Sequence, residues 1–298
     1  MKNNLLMRER SVSDIAIDIT IYSLLIVFAL SVLYPFVYII NLSLSSAVEA
    51  NAGGLFLYPK GITLAAYEVV LSDPILLRAF ANSVLRTVLA TVLTVFACAL
   101  AAYPLSRRSF PLRRQLSFMI LFTMVFSGGL VPNYLLIRSL GLMDSIWALV
   151  LPTIMSAFNV IIMKNFFQSI PESLVEAARI DGAGDWTILF RIFLPLSMPV
   201  LATVALWTAV AHWNAWFDAM IYINDDSKQV LQVLLQRIVV DNATELLEVG
   251  ITDDRAVNFT SETIKAATTV VTILPILLVY PLAQRFLLKG IMLGGVKE

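Results

Sequence analysis

Charge is scarce in this chain. Only 14% of its 298 residues are Asp, Glu, Lys or Arg, against about 25% in soluble domains, and 59% are hydrophobic. A water-exposed globule is thereby excluded. The 21 basic and 21 acidic residues cancel, and the absence of a basic excess excludes a nucleic-acid partner. A single cysteine, Cys98, lies in an apolar run, so no disulfide framework exists. The one histidine, His212, has no cluster of metal-ligand residues around it, which argues against a metal centre. No G-x-x-x-x-G-K-[ST] phosphate loop occurs, so the chain has no visible means of hydrolysing ATP. No Ser-His-Asp, paired-carboxylate or Cys/His constellation points to an enzyme. Acids inside the apolar runs are nearly absent. Asp218 and Arg86 are the exceptions, and both fall toward the ends of their runs, where a proton-driven carrier would place such groups nearer the middle. No internal repeat of the secondary-transporter kind is visible.

Long apolar runs fill the space. Stretches of about 20 apolar residues mark membrane-spanning helices. Six occur, at Ile17–Ile40, Ala79–Tyr103, Leu116–Ile137, Ile146–Phe166, Leu196–Ile223 and Ile264–Leu287. Pro35, Pro152 and Pro275 are compatible with them, because neighbouring helices satisfy the backbone groups that a proline frees. The first run lacks a small-residue cleavage site and reads as a retained anchor. The predicted class is an all-α, six-span membrane protein.

Lys and Arg set the orientation. With the N-terminus inside, the inner segments hold 13 basic residues and the outer ones 7. The cluster Arg107-Arg108-Ser109-Phe110-Pro111-Leu112-Arg113-Arg114 is the strongest single contribution. Both termini are expected in the cytoplasm, as is the loop after the fourth span. Two long outer segments, Asn41–Arg78 and Asn224–Thr263, read either as faces for a soluble partner or as solvated connectors.

That inner loop carries the densest pattern. Pro171 suits a helix start. Glu172, Glu176 and Arg179 share one face, and Leu174, Ala177, Ala178 and Asp181 the opposite one. Gly182 fits a C-terminal cap, since glycine takes the left-handed conformation freely. Asp185 fits the cap of a second short helix with the stripe Trp186, Leu189, Phe190 and Phe193, limited by Pro195 and Pro199. Adjacent alanines leave a narrow face that a partner surface can approach closely. An amphipathic hairpin lying on the membrane satisfies the same chemistry.

The pattern Glu176-Ala177-Ala178, Asp181-Gly182-Ala183, Phe190, Ile192, Leu194-Pro195 and Pro199 resembles the "EAA" loop of the membrane subunits of ATP-binding-cassette (ABC) importers. Gln284-Arg285-Phe286-Leu287-Leu288-Lys289-Gly290, followed by Gly294-Gly295-Val296-Lys297, resembles the tail of carbohydrate-importer permeases of the maltose type, and Trp213-Asn214-Ala215-Trp216 resembles their fifth-span segment. The resemblance implies an ABC type I importer permease fold in one transmembrane domain, 1–298. Within it, 168–195 would be the cytoplasmic coupling loop and 284–298 the cytoplasmic tail. Glu176, Ala177, Ala178, Asp181, Gly182 and Ala183 would meet the ATPase, and Gly294, Gly295 and Lys297 would contact it from the tail.

The implied partners are a homologous permease subunit, a dimer of ATPases, an extracytoplasmic solute-binding protein, membrane lipid and a carbohydrate cargo. The implied location is the bacterial inner membrane. ATP and Mg would sit on the ATPases, with no cofactor on this chain. Among relatives the form is most similar to the branch for oligo- and polysaccharides, acidic polymers such as alginate included. For cargo contact, Trp207, Ala211, Asn214 and Asp218 share a face of the fifth span at helical spacing. Ser156 and Asn159 form a polar face in the fourth, and Thr268, Thr272 and Pro275 one in the sixth. A stripe of aromatic ring, amide and carboxylate offers sugars both flat packing and hydrogen bonds, although Ser, Thr and Asn also bind membrane helices together. The competing readings are an importer of the same type for non-sugar cargo and an ATP-independent transporter. Orientation is tested by single-cysteine labelling in a Cys98→Ala background. Cysteines at Arg113 and Gly184 should label only from the inside, and cysteines at Gly54 and Asp241 only from the outside.

Overall fold

The computed structural model describes residues 12–240 and 259–295, and all regular structure among them is helical. In chain order the helices are α1 (Val12–Ser43), α2 (Ala47–Ala52), α3 (Ala65–Ser72), α4 (Pro74–Ser106), α5 (Arg113–Val125), α6 (Leu130–Ser139), α7 (Ile146–Val150), α8 (Ala157–Gln168), α9 (Glu172–Ile180), α10 (Asp185–Ile188), α11 (Leu194–Leu196), α12 (Met198–Asn214), α13 (Phe217–Tyr222), α14 (Leu231–Val240) and α15 (Ser261–Gly295). Three stretches cross a membrane unbroken by length and composition: Asp14–Ser43, Pro74–Ser106 and Ser261–Pro281. Three bent pairs supply the rest, giving up to six spans. Two compact units share the chain. One holds the described residues up to Val70 and those from 259 to Val270; the other holds Leu71 to residue 240 and Val271 onward.

In the first unit α1 is apolar all round and exposed over most of its length, Phe28 at 68% for example. Such a helix requires lipid or another chain as solvent. Its last turns are anchored. Tyr38 meets Phe56 edge-on at 5.6 Å, Leu42 and Ala266 pack with Phe56, and Asn41 Nδ2 donates to the Phe56 carbonyl at 2.8 Å. Ser43 Oγ and Tyr67 OH are 2.7 Å apart.

The second unit is organised on α4. Asp73 caps it, its carboxylate accepting from the Ile75 and Leu76 amides at 2.7 and 3.0 Å, with Pro74 in the first turn where no amide is needed. Arg86, Ala90, Thr94, Cys98 and Ala102 recur every four residues and are all buried. All but Arg86 are small, which lets α12 and α8 lie close against α4.

The bends depart from the continuous spans read from sequence, each for a local reason. The predicted third span turns by 113° between α5 and α6, where Gly128 and Gly129 intervene and Gly129 has φ +85°. The fourth bends by 49° after Pro152. The fifth turns by 78° at Ser197, between Pro195 and Pro199 and after a π-helical turn at Leu189–Phe193. It stops again at Asn214, so Leu196–Ile223 is not one helix.

The described start of the outer segment Asn224–Thr263, read from sequence as a face for a soluble partner or a solvated connector, is packed into the second unit as far as residue 240. Asn82 Nδ2 donates to the Ser227 and Gln229 carbonyls at 3.1 and 2.9 Å, and Ser83 Oγ accepts from the Leu231 amide at 2.8 Å. Asp144 pins the start of this segment, accepting from the Asp225 amide at 3.0 Å and from the Asn224 amide, while its own amide donates to the Tyr222 carbonyl. Those amides hold the Asp144 carboxyl below the usual carboxylate range.

Two outcomes follow. Asp73→Ala should lower stability by about 1 kcal/mol, as loss of a helix cap does, read from thermal unfolding in detergent. Because the Asp144 pKa is lowered in the fold, its contribution is complete above the unfolded value of about 3.9 and is lost as pH falls through the folded value. Asp144→Asn should therefore flatten the acid limb of the stability–pH profile below about pH 4. Parallel limbs would show that the contact is not stabilising.

Candidate functional site

The loop after the fourth span is built as the sequence spacing requires, with adjustments. Pro171 is the residue before α9, and Gly182 has φ +81° just beyond its end, with nothing within 4 Å of where a Cβ would sit. Asp185 does not cap α10, as read from sequence. It is that helix's first residue, and its Oδ1 instead accepts from Tyr103 OH at 3.2 Å and Arg179 Nη2 at 3.3 Å. Val175, Ile188, Leu189 and Phe193 bury the loop in one cluster with Tyr103 of α4 and Met163 and Phe167 of α8. Arg107 at the end of α4 pairs with Glu172 at 3.3 Å and lies over the Phe193 ring. The loop is therefore bolted to α4.

What remains exposed is specific. Glu176, Ala177, Asp181 and Gly182 face outward, whereas Ala178 and Ala183 are partly buried against the core. Beside the exposed set stand Ile180, 86% exposed, and the stacked rings of Trp186 and Phe190. This is an apolar patch with an acidic rim.

Between α4, α5, α8, α12 and the break at 152–156 lies an open cavity of about 890 Å³. It brings together Ser156, Asn159, Trp207, Ala211 and Asp218 of the residues picked out from sequence. Trp207 pairs with Phe158 at 5.7 Å between ring centroids, forming an aromatic wall. Asn214 is not in the wall. Its Nδ2 donates to the Val210 carbonyl at 2.9 Å, and the helix ends there, so the helical stripe joining it to Asp218 does not exist. Trp213 points away from the cavity, buried against Phe80 with its Nε1 donating to the Thr272 carbonyl at 3.1 Å. Of the polar face read in the sixth span, Thr268 and Thr272 are buried and belong to different units. Of the tail, Gly294 and Gly295 end α15 and Lys297 lies outside the described residues.

Sequence reading missed the polar end of the cavity. Arg86, 1% exposed, pairs with Asp218, donates from Nη1 to the Ala215 carbonyl at 3.1 Å and reaches His212 Nδ1 from Nε at 3.4 Å. His212 Nε2 lies 3.2 Å from Thr153 Oγ1. His212 is thus held by Arg86 and Thr153, and the two charged exceptions form a pair, Arg86 buried and Asp218 partly exposed. The signal was present: a lone Arg and a lone Asp in two apolar runs are costly in lipid unless they meet. Thr94 and Thr208 also line the cavity, and their buried hydroxyls have no partner among the described residues.

A bundle of broken membrane helices around a polar-and-aromatic cavity, with one interhelical loop that exposes an apolar patch, is the architecture of a membrane transport subunit. The chain belongs to the family of binding-protein-dependent transport system inner membrane components, which matches residues 75–292. It is 44% identical to the polygalacturonan/rhamnogalacturonan transport system permease protein YtcP of Bacillus subtilis, over 94% of this chain and 98% of that one. It is 43% identical to protein LplC of the same organism, over 88% of each. Its fold superposes with a TM-score of 0.85 on a chain of the crystal structure of a bacterial ABC transporter involved in the import of the acidic polysaccharide alginate, at 37% identity and covering 92% of this chain and 98% of that one.

Proposed function

We propose that this chain is the translocating subunit of an ATP-driven importer for oligo- or polysaccharides, uronic-acid polymers among them. The observation that carries the reading is the cavity. A Trp207–Phe158 wall offers flat apolar packing to a sugar ring, and Asn159, Ser156, Asp218, Thr94 and Thr208 offer hydrogen-bonding groups opposite hydroxyls. The two free threonine hydroxyls are suited to a polar occupant, since a buried polar group without a partner is costly. Its similarity to a polygalacturonan/rhamnogalacturonan permease and to an alginate importer supports the cargo class.

Glu176, Ala177, Asp181 and Gly182, with Ile180 and Trp186, form the surface on which an ATPase subunit would dock. Ala178 and Ala183 would shape it from beneath, and Gly294, Gly295 and Lys297 would add the tail. The ATPase pair would hold ATP and Mg, a second permease subunit would complete the pathway, and a solute-binding protein would deliver cargo. Both termini and the docking loop would face the cytoplasm. Movement of the loop would carry α4 with it, through Arg107–Glu172 and Tyr103–Asp185, and so alter the cavity that α4 lines.

Reconstitution with the partner subunits tests this, using uptake of a galacturonic-acid oligomer as readout. Glu176→Lys, Ala177→Trp and Gly182→Leu should insert normally but abolish uptake and cargo-stimulated ATP hydrolysis. The third acts through backbone strain of about 1–2 kcal/mol at a left-handed position. Wild-type uptake by all three would make the loop a passive connector. Trp207→Ala or Asn159→Ala should weaken apparent cargo affinity about tenfold, as loss of one buried partner does, whereas Asn214→Ala should leave it unchanged. Equal behaviour of the three would remove the cavity from the cargo path.

A further inference from the structure

The end of α12 has no local cause. Residues 200–229 contain neither proline nor glycine, and nothing in Thr208–Tyr222 is a helix breaker by propensity. The helix nonetheless stops at Asn214, Ala215 goes to φ −76°, ψ 126°, and α13 starts afresh at Phe217. A stop of this kind frees carbonyls of the last turn, and in a membrane interior no water is at hand to bond them.

The three nitrogens of one guanidinium fall on residues 212, 215 and 218, one before the break, one in it and one after it. Each contact does separate work. Nη1 satisfies the Ala215 carbonyl, which a continued helix would have paired with the Ala219 amide. That amide is taken instead by Asp218 Oδ1 at 2.9 Å. Nη2 holds the other carboxylate oxygen, so Asp218 remains at the cavity wall as a compensated anion. Nε can only donate, which makes His212 Nδ1 the acceptor and leaves the ring proton on Nε2 to donate to Thr153 Oγ1. Thr153 lies at the break in the fourth span, and its hydroxyl donates to the Val150 carbonyl at 3.2 Å. One side chain on an unbroken helix thus closes a break in the fifth span and, through His212, reaches the break in the fourth.

We propose that Arg86 is a positioning residue for cargo binding: it sets the break after Asn214 and thereby fixes Asp218 and His212 on the cavity wall. This rests on the cavity being the cargo path. Lysine is not equivalent, because its ammonium is a point charge that does not match three acceptors in a plane.

The experiment compares Arg86→Gln/Asp218→Asn, which leaves no unpaired buried charge, with Arg86→Lys and with Trp207→Ala. Each is placed in the full transporter in proteoliposomes supplied with a galacturonic-acid oligomer, and hydrogen–deuterium exchange is followed over residues 212–220. The double variant should reach the membrane at the wild-type level, raise KM about tenfold with kcat within about twofold, and change exchange across 214–218. Arg86→Lys should shift both readings in the same direction, since charge alone does not restore the fork. Restoration of wild-type KM and exchange by Arg86→Lys, or an unchanged KM and exchange in the double variant, overturns the proposal. If Trp207→Ala leaves KM unaltered while exchange at 214–218 still responds to Arg86, the cargo reading of the cavity fails and the setting of the break by Arg86 stands. If Trp207→Ala raises KM and the Arg86 variants do not, the cavity reading stands and this proposal fails.

Discussion

A carbonyl freed inside a lipid bilayer has no water to turn to, and this architecture frees many. Its cavity exists because spans are broken, and every break exposes backbone groups that the protein itself must satisfy. The solutions differ in kind. Between α5 and α6, Gly129 takes a left-handed φ of +85°. At residues 154–156 the buried Cys98 thiol approaches the Ile154 and Ser156 carbonyls at 3.9 Å, a weak contact consistent with a shallow bend. At Ala215 a full guanidinium is used. The strength of the closing interaction follows how little the local sequence favours the break.

Those solutions converge on α4. It is the one unbroken helix of the second unit that contributes to the cavity, the loop cluster and the segment 223–231 alike. Its buried stripe of small residues gives room for close neighbours, and Arg86 interrupts that stripe where the neighbour is itself interrupted. A larger residue at Ala90 or Ala102 would push α12 and α8 outward and dissolve the cavity without touching any polar group in it.

The architecture was legible in the sequence where periodicity and punctuation speak. Six apolar runs, the basic cluster at 107–114 and the loop with Gly182 at its turn could all be read from residue types and spacing, whereas the stripe Trp186, Leu189, Phe190 and Phe193 divides in the fold, Leu189 and Phe193 buried and Trp186 and Phe190 exposed. What escaped was tertiary. Helical spacing placed Asn214 and Asp218 on one stripe because nothing within the segment announces that the helix stops. The cause lies 126 residues away, at Arg86, as judged by its contact with His212. Ala178 looked equivalent to Ala177 because adjacent alanines read as one narrow face, and residue type alone gives no signal of which turns inward. Asp185 looked like a cap because its type and place fit one, yet Tyr103 and Arg179 competed for it.

One feature of α4 reaches beyond the cavity. Near one end Asn82 and Ser83 hold the backbone of 227–231, and at the other Tyr103 and Arg107 hold the loop 172–193. About 20 residues, or roughly 30 Å of helix, separate the two attachments. A stiff rod gripped at both tips transmits displacement in either direction. Linkage requires that if occupancy at one tip changes affinity at the other by some factor, the reverse holds by the same factor. A molecule that settles on the 227–231 side more readily when the loop is occupied will, to the same degree, hold the loop's own partner in place.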